Sequence, residues 1–282
     1  MNNLVKPIIL FILLFLTGPL SAKKYNLEYK FKPGTEVLYH LEIKNDNTYV
    51  FQGIGEKNKI VLTFDLNVKV YDKTKNGDYL LHISVPDLVC EFFSREQSVS
   101  RINSSDNTAD AAMLRRMINQ DIIIEISPKG AVKIIKGLEE FIGTMDISHS
   151  MKGALLSTFS RQGFSEITHY LFPEYPEIKV RIDESWQTKS KKFGTKKQTI
   201  STNYILTETG ETLKIKSADY IENQKTQLKI SDTEVSCNLM GSSDNTFETD
   251  ADSGWVRRTT SETKQISEDK TIELITNLKI SR

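Results

Sequence analysis

Ser261-Glu-Thr-Lys264 has the Ser-x-x-Lys spacing of acylating serine enzymes, where a lysine one helical turn after the serine takes its proton. That chemistry needs both side chains on one face. The surrounding residues alternate as a strand, in which positions three apart face opposite sides, so the match is coincidental. His40, His82, His149 and His169 lack metal-ligand spacing. His149 stands between Ser148 and Ser150, but no acid to orient it is identifiable, and a polar helix or loop residue is expected. A hydrolase would need His149 or His169 within hydrogen-bond reach of a serine and a carboxylate in one cleft. Gly53-Ile-Gly55-Glu-Lys-Asn58 begins like a dinucleotide loop, lacks the third glycine, and reads as a turn between strands. The sequence contains no Walker loop, His-Glu-x-x-His helix or Gly-x-Ser-x-Gly elbow. We assign no catalytic, cofactor-binding or metal-binding residue, and read the chain as non-enzymatic.

Charge is clustered although it cancels overall. Lys+Arg and Asp+Glu are both 37 in 282 residues, which argues against a nucleic-acid binder relying on a net basic field. Asp232, Glu234, Asp244, Glu248, Asp250 and Asp252 fall in a stretch without lysine or arginine. Calcium takes such oxygen ligands, yet Asp250-Ala-Asp252-Ser-Gly254 lacks EF-hand spacing and its distal glutamate, so a solvated loop is expected. Lys189, Lys191, Lys192, Lys196 and Lys197 surround Gly194 at an expected hairpin tip. Anionic headgroups or glycans would suit them, but lysines that keep a sheet edge from aggregating are the simpler reading.

Residues 1–22 have the pattern of a signal peptide: Lys6, the apolar run Ile8–Leu16, then a Gly-Pro break and small residues to Ala22. That run falls well short of the roughly 20 residues needed to span a bilayer, so no transmembrane span is expected after cleavage. Leu20-Ser-Ala22 resembles the front of a lipobox, but Lys23 stands where the lipidated cysteine belongs. A soluble periplasmic or secreted protein is expected. Export would permit a disulfide between Cys90 and Cys237, both in strand-like stretches; two packed free thiols is the alternative, and geometry decides.

These side chains must be positioned mainly by strands. Leu27, Tyr29 and Phe31, then Val37 to Ile43, then Ile60 to Val70 alternate with polar residues, the pattern of a sheet buried on one face. Lys75-Asn-Gly-Asp78 predicts a type I′ hairpin and Ser127-Pro-Lys-Gly130 another hairpin. Ser94–Thr108 reads as an exposed loop. Ser105 or Asp106 would cap a helix to Gln120, with Ala109, Ala112, Met113, Leu114 and Met117 inward. Gly137–Gly143 and Ile147–Leu171 read as helical, interrupted at Gly153 and Gly163, and end at Phe172-Pro-Glu-Tyr-Pro176. Strands resume from Ile178.

The expected organisation is a signal peptide (1–22), a first β module (23–104), a helical insertion with a β-hairpin (105–177) and a second β module (178–282). The fold class is mainly β (α+β), with curved antiparallel sheet and helices in the middle. An ungapped offset placing Tyr39 on Trp186 also places Leu66 on Leu213, Leu81 on Leu228 and Cys90 on Cys237. Duplicated modules or a shared strand period both account for that match.

Ile122-Ile-Ile-Glu-Ile-Ser-Pro-Lys-Gly-Ala-Val, then Gly137-Leu-Glu-Glu-Phe-Ile142, Leu171-Phe-Pro-Glu-Tyr-Pro176 and Val180-Arg-Ile-Asp-Glu-Ser-Trp186, carry a resemblance. The chain resembles an uncharacterised family of exported, often lipid-anchored β-rich proteins common in Bacteroidota. Lys32-Pro-Gly-Thr-Glu36 is similar to the start of that family's mature chains. Asp183 replaces the family's usual glycine, and the lipobox cysteine is missing. The resemblance implies no reaction and no site residues.

The functional expectation is an exported cell-envelope protein that binds a lipid or other hydrophobic ligand in a groove between sheet and helices. Phe92, Phe93, Phe141, Phe159, Phe164, Tyr170, Phe172 and Tyr175 concentrate apolar area there, as a simple core would also require. A structural module that meets an envelope protein partner through sheet edges is the alternative.

Overall fold

The computed structural model describes residues 23–51, 54–138, 149–191, 199–230 and 233–282. The expected leader therefore lies outside the described residues, as do the Gly53 turn tip, Phe141, Lys192, Lys196, Lys197 and Asp232.

The strands are β1 (Glu36–Phe51), β2 (Ile54–Lys73), β3 (Tyr79–Ser84), β4 (Leu88–Ser94), β5 (Gln97–Asn103), β6 (Ile122–Ile126), β7 (Val132–Lys136), β8 (Ser185–Lys191), β9 (Thr199–Glu208), β10 (Thr212–Ile230), β11 (Thr233–Asp250), β12 (Val256–Ser267) and β13 (Ile272–Ser281). They form one curved, open antiparallel sheet in the order β7-β6-β3-β2-β1-β13-β12-β11-β10-β9-β8. β4 joins β2 at Asn58–Phe64, and β5 joins β4. The first and last strands pair, His40 opposite Ser281 through Tyr49 opposite Ile272, so the two β halves share a single sheet.

Period-two alternation fixes which face is inward. Val37, Tyr39, Leu41 and Ile43 of β1 and Ile60 to Val70 at even positions of β2 are all buried. Each such side chain contributes about 1.5–3 kcal/mol when fully buried. The offset that aligns Tyr39 with Trp186 sets the turn between β9 and β10 against the interior of β2, so strands do not correspond at that offset.

Among the described residues, three helices interrupt the strands: α1 (Ala109–Ile118), α2 (His149–Phe159) and α3 (Arg161–Leu171). Helix α2 packs against β2 and β4, while α3 packs against β7 and β12, so the pair bridges both halves over the inner face. Phe64 meets Phe159 edge-on at a centroid distance of 5.1 Å. Phe159, Phe164, Phe172 and Tyr175 are core residues, the simpler of the two roles expected for the aromatic cluster. An extended N-terminal segment enters the same core: Tyr25 bridges Val180, and Leu27, Tyr29 and Phe31 are buried.

Several local expectations are corrected. Ser94–Thr108 is not a loop, because Gln97–Asn103 forms β5, with Ile102 its only buried side chain. Its hairpin turn uses Arg95 at φ 49° and Glu96 at φ 67°, residues that do not announce a left-handed turn. The Lys75–Asp78 turn has positive φ only at Gly77, with Thr74 N–H bonded to Asp78 O, so it is a three-residue loop closed by a glycine rather than type I′. Helix α1 starts after Thr108, whose Oγ1 accepts from Ala111 N–H, and it buries Ala111, Leu114, Met117 and Ile118 rather than Ala109 and Ala112. Gly153 lies within α2, and the break falls at Ser160, whose hydroxyl oxygen accepts from Gly163 N–H at 3.1 Å.

Candidate functional site

The inner face changes character where the sheet crosses to its second half. On β10, Leu213, Ile215 and Ile221 point inward, but Ser217 and Asp219 interrupt them at the same parity. Asp219, Ser243, Thr263, Thr276 and Asn45 are successive cross-strand partners across β10, β11, β12, β13 and β1. The adjacent row runs Ser217, Asn245, Ser261, then Leu278 and Ile43. A polar band thus crosses the sheet, and at β13 and β1 only the second of its two rows gives way to apolar side chains.

Hydrogen bonds tie the band together. Ser243 Oγ donates to Asp219 Oδ2 at 2.5 Å, and Asn245 Nδ2 donates to the same oxygen at 3.1 Å and to Ser217 Oγ at 2.9 Å. Thr276 Oγ1 donates to Asn45 Oδ1 at 2.8 Å. Asp219 is only 7% exposed and Asn245 3%. Even so, Asp219 Oδ1 and Asn245 Oδ1 have no hydrogen-bond partner among the described residues.

Helices α2 and α3 roof this band and leave a groove of about 300 Å³. Asp219, Ser243, Ser261, Thr263 and Gln265 supply its polar floor, Ile43, Ile221 and Leu278 its apolar floor, and Ser157, Glu166, Ile167 and Tyr170 its roof. Thr259 Oγ1 donates to the Tyr170 carbonyl at 2.9 Å, which fastens the end of α3 to β12. Burial, then the charge of Asp219, raises the Tyr170 phenol to about 12, against the opposing Ser261 and Thr263 hydroxyls. A phenol so held stays protonated at neutral pH. The volume is at the small end for ligand sites, suited to one chain or a compact molecule.

A second concavity of about 660 Å³ lies at the far ends of β1, β2 and β13 beside the β4–β5 turn. Its walls mix Asp46, Glu96 and Glu273 with Lys57 and Lys59, so no single charge is favoured.

The residues singled out by sequence do not meet in either place. Ser261 faces inward at 6% exposure, whereas Lys264 pairs with Glu273 at 2.5 Å on the other face, as strand alternation requires. His40 Nδ1 lies 2.8 Å from its cross-strand partner Asp65, and His82 Nε2 lies 2.9 Å from Asp121, just before β6; both pairs are exposed. His169 Nε2 approaches the Tyr204 hydroxyl at 3.5 Å. His149 opens α2, and its side chain is outside the described set. Cys90, buried on β4, and Cys237, half-buried on β11, are both free thiols in the structure. Lys189 and Lys191 lie on β8, the terminal strand of the sheet.

Within the acidic stretch, Asp250 Oδ1 accepts from Asp252 N–H, Ser253 N–H and Ser253 Oγ, and Oδ2 from Arg257 Nη2 at 2.8 Å. Burial works against its charge, but Arg257 and the Ser253 and Asp252 donors prevail and hold its pKa at about 2. This carboxylate closes a turn. Among the described residues, no three His, Cys, Asp or Glu side chains converge as a metal site, and no helix is long and apolar enough to cross a membrane.

The polar band went unread in the sequence. Its one visible sign was the Ser217-x-Asp219 interruption of an otherwise apolar inward parity between Ile215 and Ile221.

Asp183, which stands where the resemblance expects glycine, has φ 64°, in the left-handed region that favours glycine. The residue type differs while the backbone conformation is the one a glycine would serve.

No curated protein matches this chain. Among solved structures, the fold is similar to one of lipid–protein interactions in lipovitellin, with a TM-score of 0.56 at 9% identity, over 89% of this chain and 25% of that one. This chain therefore spans about a quarter of the lipovitellin chain, and the likeness is one of fold. A DUF1329 family protein from Desulfovibrio piger aligns over 86% of this chain and 85% of its own at 8% identity, but its TM-score of 0.18 carries no weight. The model of a family of unknown function, DUF6263, matches residues 76–256, which include the Ile122–Trp186 passage but not Lys32–Glu36; the chain belongs to that family.

Proposed function

We propose that this chain is a non-enzymatic, exported envelope protein that holds an apolar or amphipathic ligand in the groove between its helix pair and the sheet. The observation that carries the reading is the groove itself: about 300 Å³, roofed by α2 and α3, with Ile43, Ile167, Ile221 and Leu278 as its apolar lining. The curved sheet is similar in fold to that of lipovitellin, a protein described for its lipid–protein interactions, and this supports a lipid as the ligand class. The His–Asp pairs lie on the exposed face, outside the groove lining, and that supports binding over hydrolysis.

Native mass spectrometry tests the reading on protein purified gently from its own envelope, beside a solvent-extracted control. An added mass that disappears on extraction is expected, and its fragments identify the ligand class. A bare sequence mass from several gentle preparations, with no uptake of added fatty acid or lysolipid, overturns it.

A further inference from the structure

We infer that the groove takes a ligand bearing a cationic ammonium group, with that group seated at Asp219. The inference rests on the groove being the ligand site and specifies the chemistry of the ligand's polar end.

Two observations converge. The described residues lining the groove include two carboxylates, Glu166 and Asp219, and no lysine, arginine or histidine. An anionic headgroup such as a fatty-acid carboxylate would meet the Asp219 carboxylate with no cation among these lining residues, whereas a cation is favoured there. Asp219 is more than nine-tenths buried, lines the groove, and has Oδ2 saturated by Ser243 and Asn245 while Oδ1 has no partner among the described residues.

A buried acceptor without a donor is costly, so the site is completed by a group that donates. An ammonium supplies three donors and a positive charge. Ser243, Ser261, Thr263 and Gln265 line the floor near it and offer further acceptor oxygens, while Ile43, Ile221 and Leu278 take an attached apolar segment. The groove thus offers both polar and apolar lining, and a ligand with an amine and an attached methylene chain can use both.

The amine has two sources, an aminolipid or a free small amine, and the probes separate them. The full mature chain is titrated calorimetrically with octylamine, octanoate, octanol and butylamine at neutral pH, in wild type and in Asp219→Asn and Glu166→Gln variants. Octylamine is expected to bind at least tenfold tighter than octanoate, and Asp219→Asn to erase at least tenfold of that affinity while octanol affinity is retained. Octylamine well above butylamine assigns a long-chain amine; equal binding assigns a small free amine. If octanoate binds as well as octylamine, or Asp219→Asn leaves octylamine affinity unchanged, the ammonium inference fails while the groove reading stands. If none of the chain-bearing probes binds, both fail. Retained octanol binding and an unchanged thermal midpoint show that the variants are folded.

Discussion

The Tyr29 hydroxyl donates to the Pro173 carbonyl at 2.9 Å, joining residues 144 positions apart. The bond fixes the N-terminal segment to the chain that leaves the helices. Tyr29 also stacks on Tyr175 at 4.7 Å and meets Phe172 edge-on at 6.0 Å, and its carbonyl accepts from Tyr79 Oη at 3.1 Å. Gly130 and Gly254 leave room for this junction. A Cβ at Gly130 would stand 2.6 Å from Pro173 O, and one at Gly254 would stand 2.9 Å from the Tyr29 ring. The segment is therefore part of the core that supports the helix roof, although it belongs to no named strand.

Tyr29→Phe keeps the ring and leaves the Pro173 carbonyl without its donor. We expect a loss of about 1–3 kcal/mol. Tyr29→Ala also removes the ring from the aromatic cluster, with an expected loss of about 3–5 kcal/mol. Urea midpoints for the pair, with unchanged slopes, check both; equal losses would mean that the hydroxyl, not the packing, dominates.

Gly163→Ala tests how the roof is built. A Cβ there would lie 1.7 Å from Ser157 O, the backbone of the last turn of α2, so the two helices cannot keep their present approach. A destabilisation of about 3 kcal/mol is expected, at the upper end for overpacking. Because Gly163 also lines the groove, ligand affinity should fall with it. Thermal melts and octylamine titrations of the same preparation measure the two effects together.

Much of the architecture was legible because it rests on alternation. Val37 to Ile43 and Ile60 to Val70 name their buried faces directly, and the order of strands and helices follows. What escaped was set by tertiary partners. β5 is an edge strand with a single buried side chain, and its Arg95-Glu96 turn has neither glycine nor asparagine. The groove escaped for a different reason: Asp219, Ser243, Thr263, Thr276 and Asn45 come from five strands, and only pairing register makes them neighbours. A serine or threonine on a half-exposed strand looks the same whichever face it occupies.

Asp183→Gly should stabilise by about 0.5 kcal/mol. A left-handed residue costs an ordinary L-amino acid about 1–2 kcal/mol, less for aspartate, and glycine recovers part of it against its own larger unfolded-state entropy. The backbone bond from Asp183 N–H to Leu206 O at 2.7 Å survives the change, and the side chain is exposed. Asp183→Val, β-branched at the same φ, is the contrasting variant, with an expected loss of about 1–2 kcal/mol. Chemical denaturation of the three proteins orders them; a valine variant as stable as the glycine variant would contradict the assigned backbone.

The two thiols should differ in reactivity. Burial, then the neighbouring Glu91 charge, pushes Cys90 up to about 12, and Cys90 has no exposed surface. Burial, then Asp269, raises Cys237 less, and its side chain is half-buried. Thiolate is the attacking form, so an aromatic disulfide reagent at pH 8 should react with Cys237 in the folded protein and with Cys90 only after unfolding. Two titratable thiols in denaturant without reductant are expected; none would reveal a disulfide.

Asp250 sets an acid limit that can be measured directly. Its carboxyl is held at about 2 against an ordinary value of 3.8, with Arg257 and the Ser253 and Asp252 donors bound to the charged form. A depressed folded-state pKa contributes stability that is complete above the unfolded value and is lost as pH falls through the folded one. The contribution should therefore be full above about pH 5 and gone near pH 2. Asp250→Asn retains an acceptor oxygen for the turn but loses the charge facing Arg257. Partial exposure screens that pair, so we expect a deficit of about 1 kcal/mol at pH 6. The deficit should shrink as the wild type protonates, and the two unfolding midpoints should converge by pH 2. Denaturation curves at pH 6, 4, 3 and 2 follow the convergence, and a constant gap would place the stabilisation in the shape of the turn rather than in the carboxylate charge.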